Sequence, residues 1–496
     1  MNSPVVTSAQ MRDAENAAFA RGVSAEALMN QAGAGIAQAV QQFFPRPGYC
    51  LVFSGKGNNG GDALVAAAQL KRAGWHTDVH LSFPESQCSD LLRRKITEFR
   101  DTPPVAAAVV AGVSAANPSR AHTIILDGLL GLGSKPPLRD PILAACREIN
   151  RLRQERGAYV FAVDQPTGLD GDSGETDRNC VVADFTVTIA ATKRGLLADN
   201  ATNLVGRLEV VPLSDLPLEA ADETVACAAS LQGLLPRRPF DAHKNQFGRV
   251  GIVAGSRGFA GAATMCAWGA LRGGAGLVEV FVPENIYEIV AAAAPFESMV
   301  KPVKSYRDLI EEKIDVWGIG PGLGRDNAPE IIELIQRAEN PMVVDADALN
   351  IVSTNVSILK NCRGPRLLTP HPGEMKRLAG NQKNSRTELA EKFTGEFPIT
   401  LLLKGSRTIV AEKGKFISYN TTGNPGMATG GMGDVLTGVC SALLAQNLSP
   451  FDAARVGAWA CGRAAEISIF NHGESQQSLL PRDVLTNLGR ALGELQ

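Results

Sequence analysis

A glycine-rich segment near the start of the chain has the residue types of a ligand-binding loop. Residues 54–62 read Ser-Gly-Lys-Gly-Asn-Asn-Gly-Gly-Asp and contain a GxGxxG pattern between a strand-like run and a helical pattern. That context is typical of a dinucleotide-binding turn, although a tight structural turn uses the same glycines. Asp62 argues against an ordinary pyrophosphate site, because its carboxylate competes with phosphate for the backbone N–H groups. The segment therefore favours polar ligand groups or a hard cation.

Two further strand-like runs of the amino half end in acidic residues. Asp127 precedes the loop Gly-Leu-Leu-Gly, and Asp164 opens the segment Asp-Gln-Pro-Thr-Gly, which contains Thr167. Ligands of open parallel sheets bind outside the carboxyl ends of the strands, so Asn59, Asp127 and Thr167 are predicted to converge. Asp164 is then available as an acid or a base. Any one of these aspartates is equally explained as a helix cap or a turn residue.

The carboxyl half has a second glycine-rich segment, Asn-Pro-Gly-Met-Ala-Thr-Gly-Gly-Met-Gly-Asp at residues 424–434, which leads into a helical pattern. Successive glycines allow backbone N–H groups to form an anion hole at the helix N-terminus. Asp434, beside that hole, is suited to accept a hydroxyl proton while the hole holds a phosphoryl group. The alternative is a carboxylate that only caps the helix. The chain has no GxxxxGK[ST] segment, which excludes a P-loop.

Other segments of the carboxyl half have the features of a ligand site. Residues 404–408, Lys-Gly-Ser-Arg-Thr, follow an apolar run and suit nucleotide phosphates. Residues 318–324, Gly-Ile-Gly-Pro-Gly-Leu-Gly, allow a ligand to approach the backbone closely. His371 stands between two prolines and is either a site residue or a structural histidine. Asp345 and Asp347 add carboxylates at another strand end.

The elements that must position these residues alternate between strands and helices, which predicts βαβ units and parallel sheets covered on both faces. The strand-like runs of the amino half cover residues 49–54, 77–83, 122–126, 159–163, 184–190 and 207–211. A second series covers residues 249–254, 277–282, 315–319, 342–345, 366–369 and 400–404. A hairpin over residues 408–420 follows, and helices are predicted near residues 431–446, 450–470 and 482–495.

Between the two series, residues 212–239 lose their periodicity and contain several prolines and an acidic patch. We interpret this stretch as a linker. The length of 496 residues exceeds the size at which one hydrophobic core keeps growing. The sequence therefore predicts an α/β protein of two unlike domains, over residues 1–222 and 223–496.

Composition excludes several classes of protein. Forty-nine basic and 51 acidic residues give a formal net charge of −2, which does not suit a nucleic-acid partner. The nine cysteines are scattered without a CxxC pair, which argues against a structural zinc and against a disulfide framework. The most apolar stretch, residues 103–116, is too short to span a membrane, and residues 1–21 have no apolar signal core. A reducing cytoplasm is the expected location.

In this combination the chain resembles the bifunctional NAD(P)H-hydrate repair enzymes, which join a YjeF-type epimerase domain to a ribokinase-like, ADP- or ATP-dependent dehydratase domain. The motifs that carry the resemblance run in family order through nearly the whole chain. They cover residues 57–62, 127–131, 164–168, 243–248, 260–263, 320–324, 369–374, 404–408 and 430–434. Two positions depart from the family: Leu132 replaces the Thr of a common Gly-Thr-Gly, and Asn245 replaces a Gly.

The resemblance implies a Rossmann-like three-layer domain over residues 1–222 and a ribokinase-like three-layer domain over residues 223–496. The first would interconvert the R and S forms of NADH or NADPH that have gained water across a ring double bond. The second would remove that water from the S form at the expense of ADP with Mg²⁺. ADP is favoured over ATP because the fusion resembles the bacterial form. The implied partners are these hydrates and ADP, with no nucleic acid and no membrane, in a cytoplasmic homo-oligomer.

The resemblance also implies a role for individual residues. The implied catalytic groups are Asp164 and Asp434. The epimerase would bind its hydrate through Asn58, Asn59, Gly60, Gly61, Asp62, Gly131, Leu132, Gly133, Ser134, Lys135, Pro136, Pro137 and Asp164. A potassium ion would be bound by Asn59, Asp127 and Thr167. The dehydratase would bind its hydrate through Ala262, Ala263, Gly322, His371 and Asp434, and ADP through Lys404, Gly405, Ser406, Arg407, Thr408 and Gly433.

Two alternative functions remain open at this point. Ribokinase-like vitamin kinases share the Gly-x-Gly-Asp hole at residues 431–434, so the carboxyl half is alternatively a small-molecule kinase fused to a nucleotide-binding module. The amino half also resembles a stand-alone animal protein associated with apolipoprotein binding, which makes a binding module the second alternative. The intact set Asn59, Asp127, Asp164 and Thr167 favours a working active site over that module.

Overall fold

The computed structural model describes residues 3–103, 122–216, 218–382 and 384–496. The chain divides into two compact units, residues 3–221 and residues 222–496. The apolar stretch at residues 103–116 lies outside the described residues except for its first position. Among the helices that are described, none combines the length and the hydropathy needed to cross a membrane. All nine cysteines are free thiols.

The first unit alternates strands and helices along the described chain. Its strands are β1 (Ser3–Val6), β2 (Tyr49–Ser54), β3 (His76–Leu81), β4 (Thr123–Gly128), β5 (Tyr159–Val163), β6 (Phe185–Ile189), β7 (Thr192–Lys193) and β8 (Arg207–Val211). Its helices are α1 (Ser8–Ala20), α2 (Ala25–Phe43), α3 (Asn58–Arg72), α4 (Asp90–Asp101), α5 (Ile142–Arg156) and α6 (Thr202–Val205). Short 3-10 turns cover Glu85–Gln87, Arg194–Leu197 and Asp199–Ala201.

Six of these strands form a parallel sheet in the order β3-β2-β4-β5-β6-β8. Helices cover both faces. Phe43 of α2 packs on Phe185 with ring centroids 4.4 Å apart, whereas Ile149 of α5 lies in a cluster with Ile125 and Val160. The order reverses between β2 and β4, which places a crevice at the carboxyl ends of these two strands. The predicted three-layer α/β arrangement is confirmed for this unit.

The second unit has a longer series of strands and helices. Its strands are β9 (Glu223–Ala226), β10 (Arg249–Val253), β11 (Leu277–Pro283), β12 (Met299–Val303), β13 (Val316–Ile319), β14 (Met342–Val344), β15 (Arg366–Leu368), β16 (Thr400–Leu403), β17 (Thr408–Glu412) and β18 (Ile417–Asn420). Its helices are α7 (Ala228–Leu231), α8 (Ala260–Arg272), α9 (Tyr287–Ala293), α10 (Ala328–Arg337), α11 (Ala346–Val352), α12 (Pro372–Ala379), α13 (Arg386–Glu396), α14 (Met432–Ala445), α15 (Pro450–Phe470) and α16 (Pro481–Gly493). Short 3-10 turns cover Lys244–Phe247, Glu284–Ile286, Tyr306–Glu311, Val356–Asn361 and Pro425–Met427.

The strands of the second unit pair in the order β12-β11-β10-β13-β14-β15-β16-β17-β18-β9. Pairing is parallel from β12 to β16, and β16, β17 and β18 then pair antiparallel, as the predicted hairpin requires. One core joins Val250 and Val343 of the sheet to Ala267 of α8, Val439 of α14 and Ala460 of α15. The parallel α/β layers predicted for the carboxyl half are confirmed.

Two predictions about element limits are wrong. Within the predicted linker, β9 pairs with β18 in parallel and α7 follows it, so part of that stretch belongs to the second sheet. A strand of four residues between prolines is too short to show a period. The helix predicted after the glycine-rich segment 54–62 starts instead within it, at Asn58, with Gly57 as its N-cap. The Asn-Asn-Gly-Gly run therefore forms the first helical turn rather than a loop.

Helices α8 and α14 are expected to separate when a methyl group is added at Gly438, because a Cβ there would lie 2.1 Å from the carbonyl oxygen of Cys266. The Gly438→Ala variant should lose about 1–3 kcal/mol of stability through this overpacking. Thermal denaturation followed by circular dichroism measures the loss. The matched control is Gly489→Ala in α16, where a Cβ meets no atom within 4 Å. A Gly438→Ala protein as stable as the control would contradict the close packing.

Candidate active sites

The first candidate site lies at the carboxyl ends of β2 and β4, where helix α3 begins. Gly57 gives α3 no side-chain cap, so its first N–H groups stay open to a ligand. A Cβ at Gly60 would lie 2.4 Å from the hydroxyl of Ser54. A Cβ at Gly131 would lie 3.0 Å from the amide oxygen of Asn59. The glycines therefore bring this helix end and the loop after β4 together.

Asp127 and Thr167 meet in this crevice. Thr167 donates its N–H to Asp127 Oδ2 over 2.9 Å and its hydroxyl to Asp127 Oδ1 over 2.8 Å. The N–H of Leu129 donates to the same Oδ1 over 3.3 Å. The Asp127 side chain is fully buried, and burial raises the pKa of this carboxyl to about 6, although these three donors pull it down. No cationic side chain among the described residues pairs with it.

Asn59 adds an amide oxygen to the carboxylate of Asp127 and the hydroxyl of Thr167. Its side chain is buried, and its Nδ2 has no hydrogen-bond partner within the described chain. The predicted convergence of Asn59 with the loop after Asp127 is visible in the close approach at Gly131. An amide, a carboxylate and a hydroxyl are ligands of the kind that hard cations take. The donor set fits a cation that would also neutralise the buried carboxylate.

Asp164 is held by a buried ion pair at the end of β5. Lys193 Nζ donates to Asp164 Oδ1, and it also donates to the carbonyl oxygen of Ile189 over 3.0 Å. The N–H of Ile189 reaches the same Oδ1 over 3.2 Å, and Thr188 Oγ1 lies 3.4 Å away. Asp164 has a left-handed backbone conformation, with φ of 66°. All its donors among the described residues reach Oδ1, which leaves Oδ2 free.

Helix α1 contributes charged groups to the same region. The N–H of Ser8 donates to Asp172 Oδ1 over 2.6 Å, and a Cβ at Gly133 would lie 3.2 Å from Arg12 Nη2. Glu15 lies one turn after Arg12 on the same face. Burial and the Asp164 carboxylate raise the pKa of Glu15, against the pull of Lys193 and Arg12.

Asp62 is the third carboxyl of the cluster. Burial raises its pKa well above the ordinary range, and the carboxylates of Asp164 and Glu15 add to that rise, while Lys193 opposes it. Asp62 accepts no hydrogen bond from the described residues. Asp62 and Asp164 therefore differ in environment, one without donors and one beside an ammonium group.

The predicted loop 131–137 borders this cluster. Gly133 adopts a φ of 85°, and Lys135 Nζ lies 3.7 Å from Asp170 Oδ2. Leu132, Ser134 and Pro136 are half-buried, whereas Pro137 is exposed. Asn58 is also exposed at the start of α3. The loop lies beside the site, where Gly131 approaches Asn59 and Gly133 approaches Arg12.

The second candidate site lies at the end of β14 and the N-terminus of α14. Lys404 Nζ donates to Asp345 Oδ1 over 2.7 Å, and Thr437 Oγ1 donates to Asp345 Oδ2 over 2.8 Å. A Cβ at Gly433 would lie 3.4 Å from Lys404 Nζ. Gly431 begins the helix with φ of 93° and without a side-chain cap. Open N–H groups and a lysine therefore face the same space, as an anion site requires.

Asp434 lies in the first turn of α14 and accepts no hydrogen bond from the described residues. Burial raises the pKa of its carboxyl to about 6, the Asp345 carboxylate adds to the rise, and Lys404 opposes it. The capping alternative for Asp434 has no hydrogen bond to support it. Its environment suits a proton acceptor that works near neutral pH.

The glycine-rich turn at residues 320–324 borders helix α8. A Cβ at Gly320 would lie 1.9 Å from the carbonyl oxygen of Asp345, and one at Gly322 would lie 3.0 Å from Ala262 Cβ. Ala263 is instead fully buried, facing Gly255. Of the two predicted alanines, Ala262 is thus the one beside Gly322.

His371 and residues 405–408 form hydrogen bonds within the protein. His371 is the N-cap of α12: its Nδ1 accepts the N–H of Gly373 over 2.9 Å, and its own N–H donates to Glu374 Oε2 over 2.8 Å. The side chain of His371 remains half-exposed. Thr408 donates its hydroxyl to the carbonyl oxygen of Gly405 over 3.0 Å, while Ser406 is exposed and Arg407 is buried.

Sequence reasoning gave no role to Lys193 or Glu15 and noted Asp345 only as one more carboxylate. Lys193 follows a strand-like run without a motif, and Glu15 lies on an ordinary amphipathic helix. Their partners are distant in sequence, so only the folded sheet reveals them. The strand-end position of Asp345 was the one local signal.

Each unit thus has an aspartate–lysine pair beside a second carboxyl group, at the end of a parallel sheet.

Comparisons with known proteins identify both halves of the chain. Residues 25–195 match the family model described as YjeF-related protein N-terminus, and residues 250–487 match that described as NAD(P)H-hydrate dehydratase. A bifunctional NAD(P)H-hydrate repair enzyme from Moorella thermoacetica is 35% identical over 500 residues, covering 95% of this chain and 92% of the relative. One from Escherichia coli is 33% identical over 489 residues, covering 97% and 92%.

A solved ADP/ATP-dependent NAD(P)H-hydrate dehydratase from Bacillus subtilis, co-crystallised with ATP and Mg²⁺, is 27% identical with a TM-score of 0.49. The match covers 54% of this chain and 98% of that structure. On the sequence relatives and the two family models, the chain belongs to the family of bifunctional NAD(P)H-hydrate repair enzymes. The predicted family is confirmed.

Proposed function

We propose that residues 1–222 interconvert the R and S hydrates of NADH and NADPH, and that residues 223–496 dehydrate the S form at the expense of ADP. The observation that carries the proposal is Asp434 at the uncapped N-terminus of α14, beside Lys404 and the glycines of residues 430–433. A proton acceptor next to an anion site is what transfer of a phosphoryl group to a hydroxyl requires.

In the second domain, Asp434 accepts the proton of the hydrate hydroxyl. The oxygen of that hydroxyl then attacks the terminal phosphorus of ADP. The bond from that phosphorus to the bridging oxygen breaks, and AMP leaves with the electron pair. The ring nitrogen's lone pair then expels phosphate by breaking the carbon–oxygen bond. Loss of a proton from the neighbouring ring carbon restores the double bond of NAD(P)H. Lys404 and the N–H groups of α14 hold the transferred charge.

The residues predicted to bind the hydrate and those predicted to bind ADP support the dehydratase function to different degrees. Ala262 and Gly322 form one wall together and are proposed to contact the hydrate. Lys404 and Gly433 lie together and are proposed to contact the nucleotide. His371 is proposed to reach the hydrate through its exposed edge, since Nδ1 is engaged in capping.

In the first domain, Asp164 is proposed to transfer the proton that accompanies epimerisation. Three donors converge on its Oδ1, so Oδ2 is the atom open to a substrate. The buried ammonium group of Lys193 lies against Oδ1 and holds the carboxylate in this position. Residues 58–62 and 131–137 are proposed to surround the hydrate.

A potassium ion is proposed to bind Asn59, Asp127 and Thr167. The buried carboxylate of Asp127, which pairs with no cationic side chain of the described residues, supports this site. When bound, the ion supplies a fixed positive charge that neutralises this carboxylate and strengthens the binding of anionic substrate groups. Hydrogen bonds hold Thr167 against Asp127, and Asn59 lies close to Gly131 in the loop after Asp127.

The two activities are expected to separate by mutation. Asp164→Ala should abolish epimerisation while turnover of S hydrate continues, and Asp434→Asn should lower S-hydrate turnover about a hundredfold or more while epimerisation continues. The assay supplies separated R and S hydrates, with ADP and ATP compared, and follows the absorbance of restored NADPH. Phosphorylation of an added vitamin without NADPH formation would favour the kinase alternative. Near-normal dehydration by Asp434→Asn would remove the basis of the mechanism.

The dehydratase rate should fall as the pH is lowered through about 6. The pKa of Asp434 is raised by burial, so the carboxyl gains its proton at a higher pH than an exposed aspartate and then cannot act as a base. Initial rates with saturating S hydrate and ADP, from about pH 5 to about pH 8, measure this fall of the rate at acidic pH. A rate that stays constant down to about pH 5 would rule out Asp434 as the titrating base.

Potassium should raise the melting temperature of the first domain by a few degrees relative to lithium, since binding to the native state alone is stabilising. Asp127→Asn should lose this difference because the site loses its charge. Asp13→Asn, which changes an exposed aspartate of α1 in the same way, should keep it. Differential scanning calorimetry in matched chloride salts makes the comparison. An equal potassium effect in all three proteins would place the ion elsewhere.

A further inference from the structure

Epimerisation at a carbon that bears a hydroxyl group and a ring nitrogen needs two proton transfers. The departing oxygen must receive a proton, since water leaves far more readily than hydroxide. The water that returns to the opposite face must lose one. Asp164 accounts for only one of these transfers, so the first site requires a second titratable group.

The hydrogen-bond donors around the three carboxyl groups of the crevice differ. Asp127 accepts from Thr167 and Leu129, and Asp164 accepts from Lys193 and Ile189. Asp62 accepts from none of the described residues. A sheltered carboxylate without donors or a counter-ion is poorly stabilised, whereas the neutral acid needs neither.

The charged groups that face Asp62 come from three other elements. They are Glu15 on α1, Asp164 at the end of β5, and Lys193 on β7. Lys193 Nζ is directly engaged with Asp164, so the ammonium charge is largely matched before it acts on Asp62. Arg12 acts on Glu15. The field at Asp62 is therefore dominated by negative groups, and burial and these carboxylates raise the pKa of Asp62.

We propose that Asp62 is the general acid of the epimerase site and acts opposite Asp164 as the general base. This inference rests on the proposed epimerase function and assigns a chemical role to a residue otherwise expected only to contact the hydrate. Lys193 and Ile189 donate to Asp164, whereas no described residue donates to Asp62. Acid–base chemistry uses two carboxyl groups in environments that differ in this way.

The proposed step balances in protons and electrons. Asp62 gives its proton to the hydroxyl oxygen as the carbon–oxygen bond breaks with its electron pair on oxygen, and the ring nitrogen's lone pair forms a cationic carbon–nitrogen double bond. A water molecule adds to the other face as Asp164 Oδ2 takes its proton, and the double-bond electrons return to nitrogen. Return of the proton from Asp164 to Asp62 restores the starting state. The negative groups around the site also stabilise the cationic intermediate.

The test compares Asp62→Asn, Asp62→Glu and Glu15→Gln in the full-length chain. Epimerisation is measured by chromatographic separation of R and S hydrates without nucleotide, so that the second domain is silent. We expect Asp62→Asn to lower kcat about a hundredfold or more with KM little changed, and Asp62→Glu to recover part of the rate. The wild-type rate should fall at high pH as the acid loses its proton, and Asp62→Asn should lack this alkaline limb.

Controls separate catalysis from folding. Asp78→Asn, the same change at an exposed aspartate of β3, should keep both the rate and the alkaline limb. Circular dichroism melting of each variant reports folding, and turnover of S hydrate with ADP reports the second domain. A binding role for Asp62 would raise KM and leave the pH profile unchanged.

Three outcomes would overturn the inference. The rate of Asp62→Asn could still fall at high pH as in the wild type, or Asp62→Asn could raise KM without lowering kcat. Alternatively, the fall of the rate at high pH could disappear in Glu15→Gln and not in Asp62→Asn. The last would make Glu15 the acid. A wild-type protein that interconverts the hydrates no faster than buffer would contradict the proposed function itself, whatever the variants do. The two failures are therefore distinguishable.

Discussion

In each domain a lysine ammonium group lies against the buried carboxylate of an aspartate at the end of a parallel strand. The pairs are Lys193 with Asp164 and Lys404 with Asp345. Removing one partner of such a pair leaves an uncompensated buried charge, which costs about 3–5 kcal/mol. The surrounding sheet and helices must therefore keep the two groups together. This requirement fixes the loops that carry the pairs and, with them, the geometry of both sites.

Each pair also determines what a neighbouring carboxyl group can do. Asp62 and Asp434 lie beside a pair but receive no hydrogen bond from the described residues, and burial and the paired carboxylates raise the pKa of both. Each site thus holds one aspartate that is paired with a lysine and a second aspartate that has no hydrogen-bond donor among the described residues. The same residue type serves two purposes because the environments differ.

Local patterns predicted the parallel sheets, the three helices that end the sequence, the strand-end positions of Asp127 and Asp164 and the helix-start position of Asp434, because periodicity and glycine spacing are properties of neighbouring residues. They did not predict β9, which is too short to show a period, or the start of α3, where an Asn-Asn-Gly-Gly run resembles a loop. The pairing of Lys193 with Asp164 joins residues from two strands. Strand β7 pairs with β1 and is not part of the six-stranded sheet that contains β5, so tertiary folding determines that contact and no local spacing encodes it.

The two proposed reactions differ in what they demand of the protein, and the sites differ accordingly. Epimerisation exchanges forms of similar free energy, so acid and base groups such as Asp62 and Asp164 suffice without an energy source. Dehydration must instead convert a poor leaving group into a good one, which requires a phosphoryl donor and an anion site such as the uncapped N-terminus of α14. If the second domain takes only the S form, as proposed, consumption of that form draws the R form through the epimerase site of the first domain. One chain can then clear both hydrates with a nucleotide spent at only one of its sites.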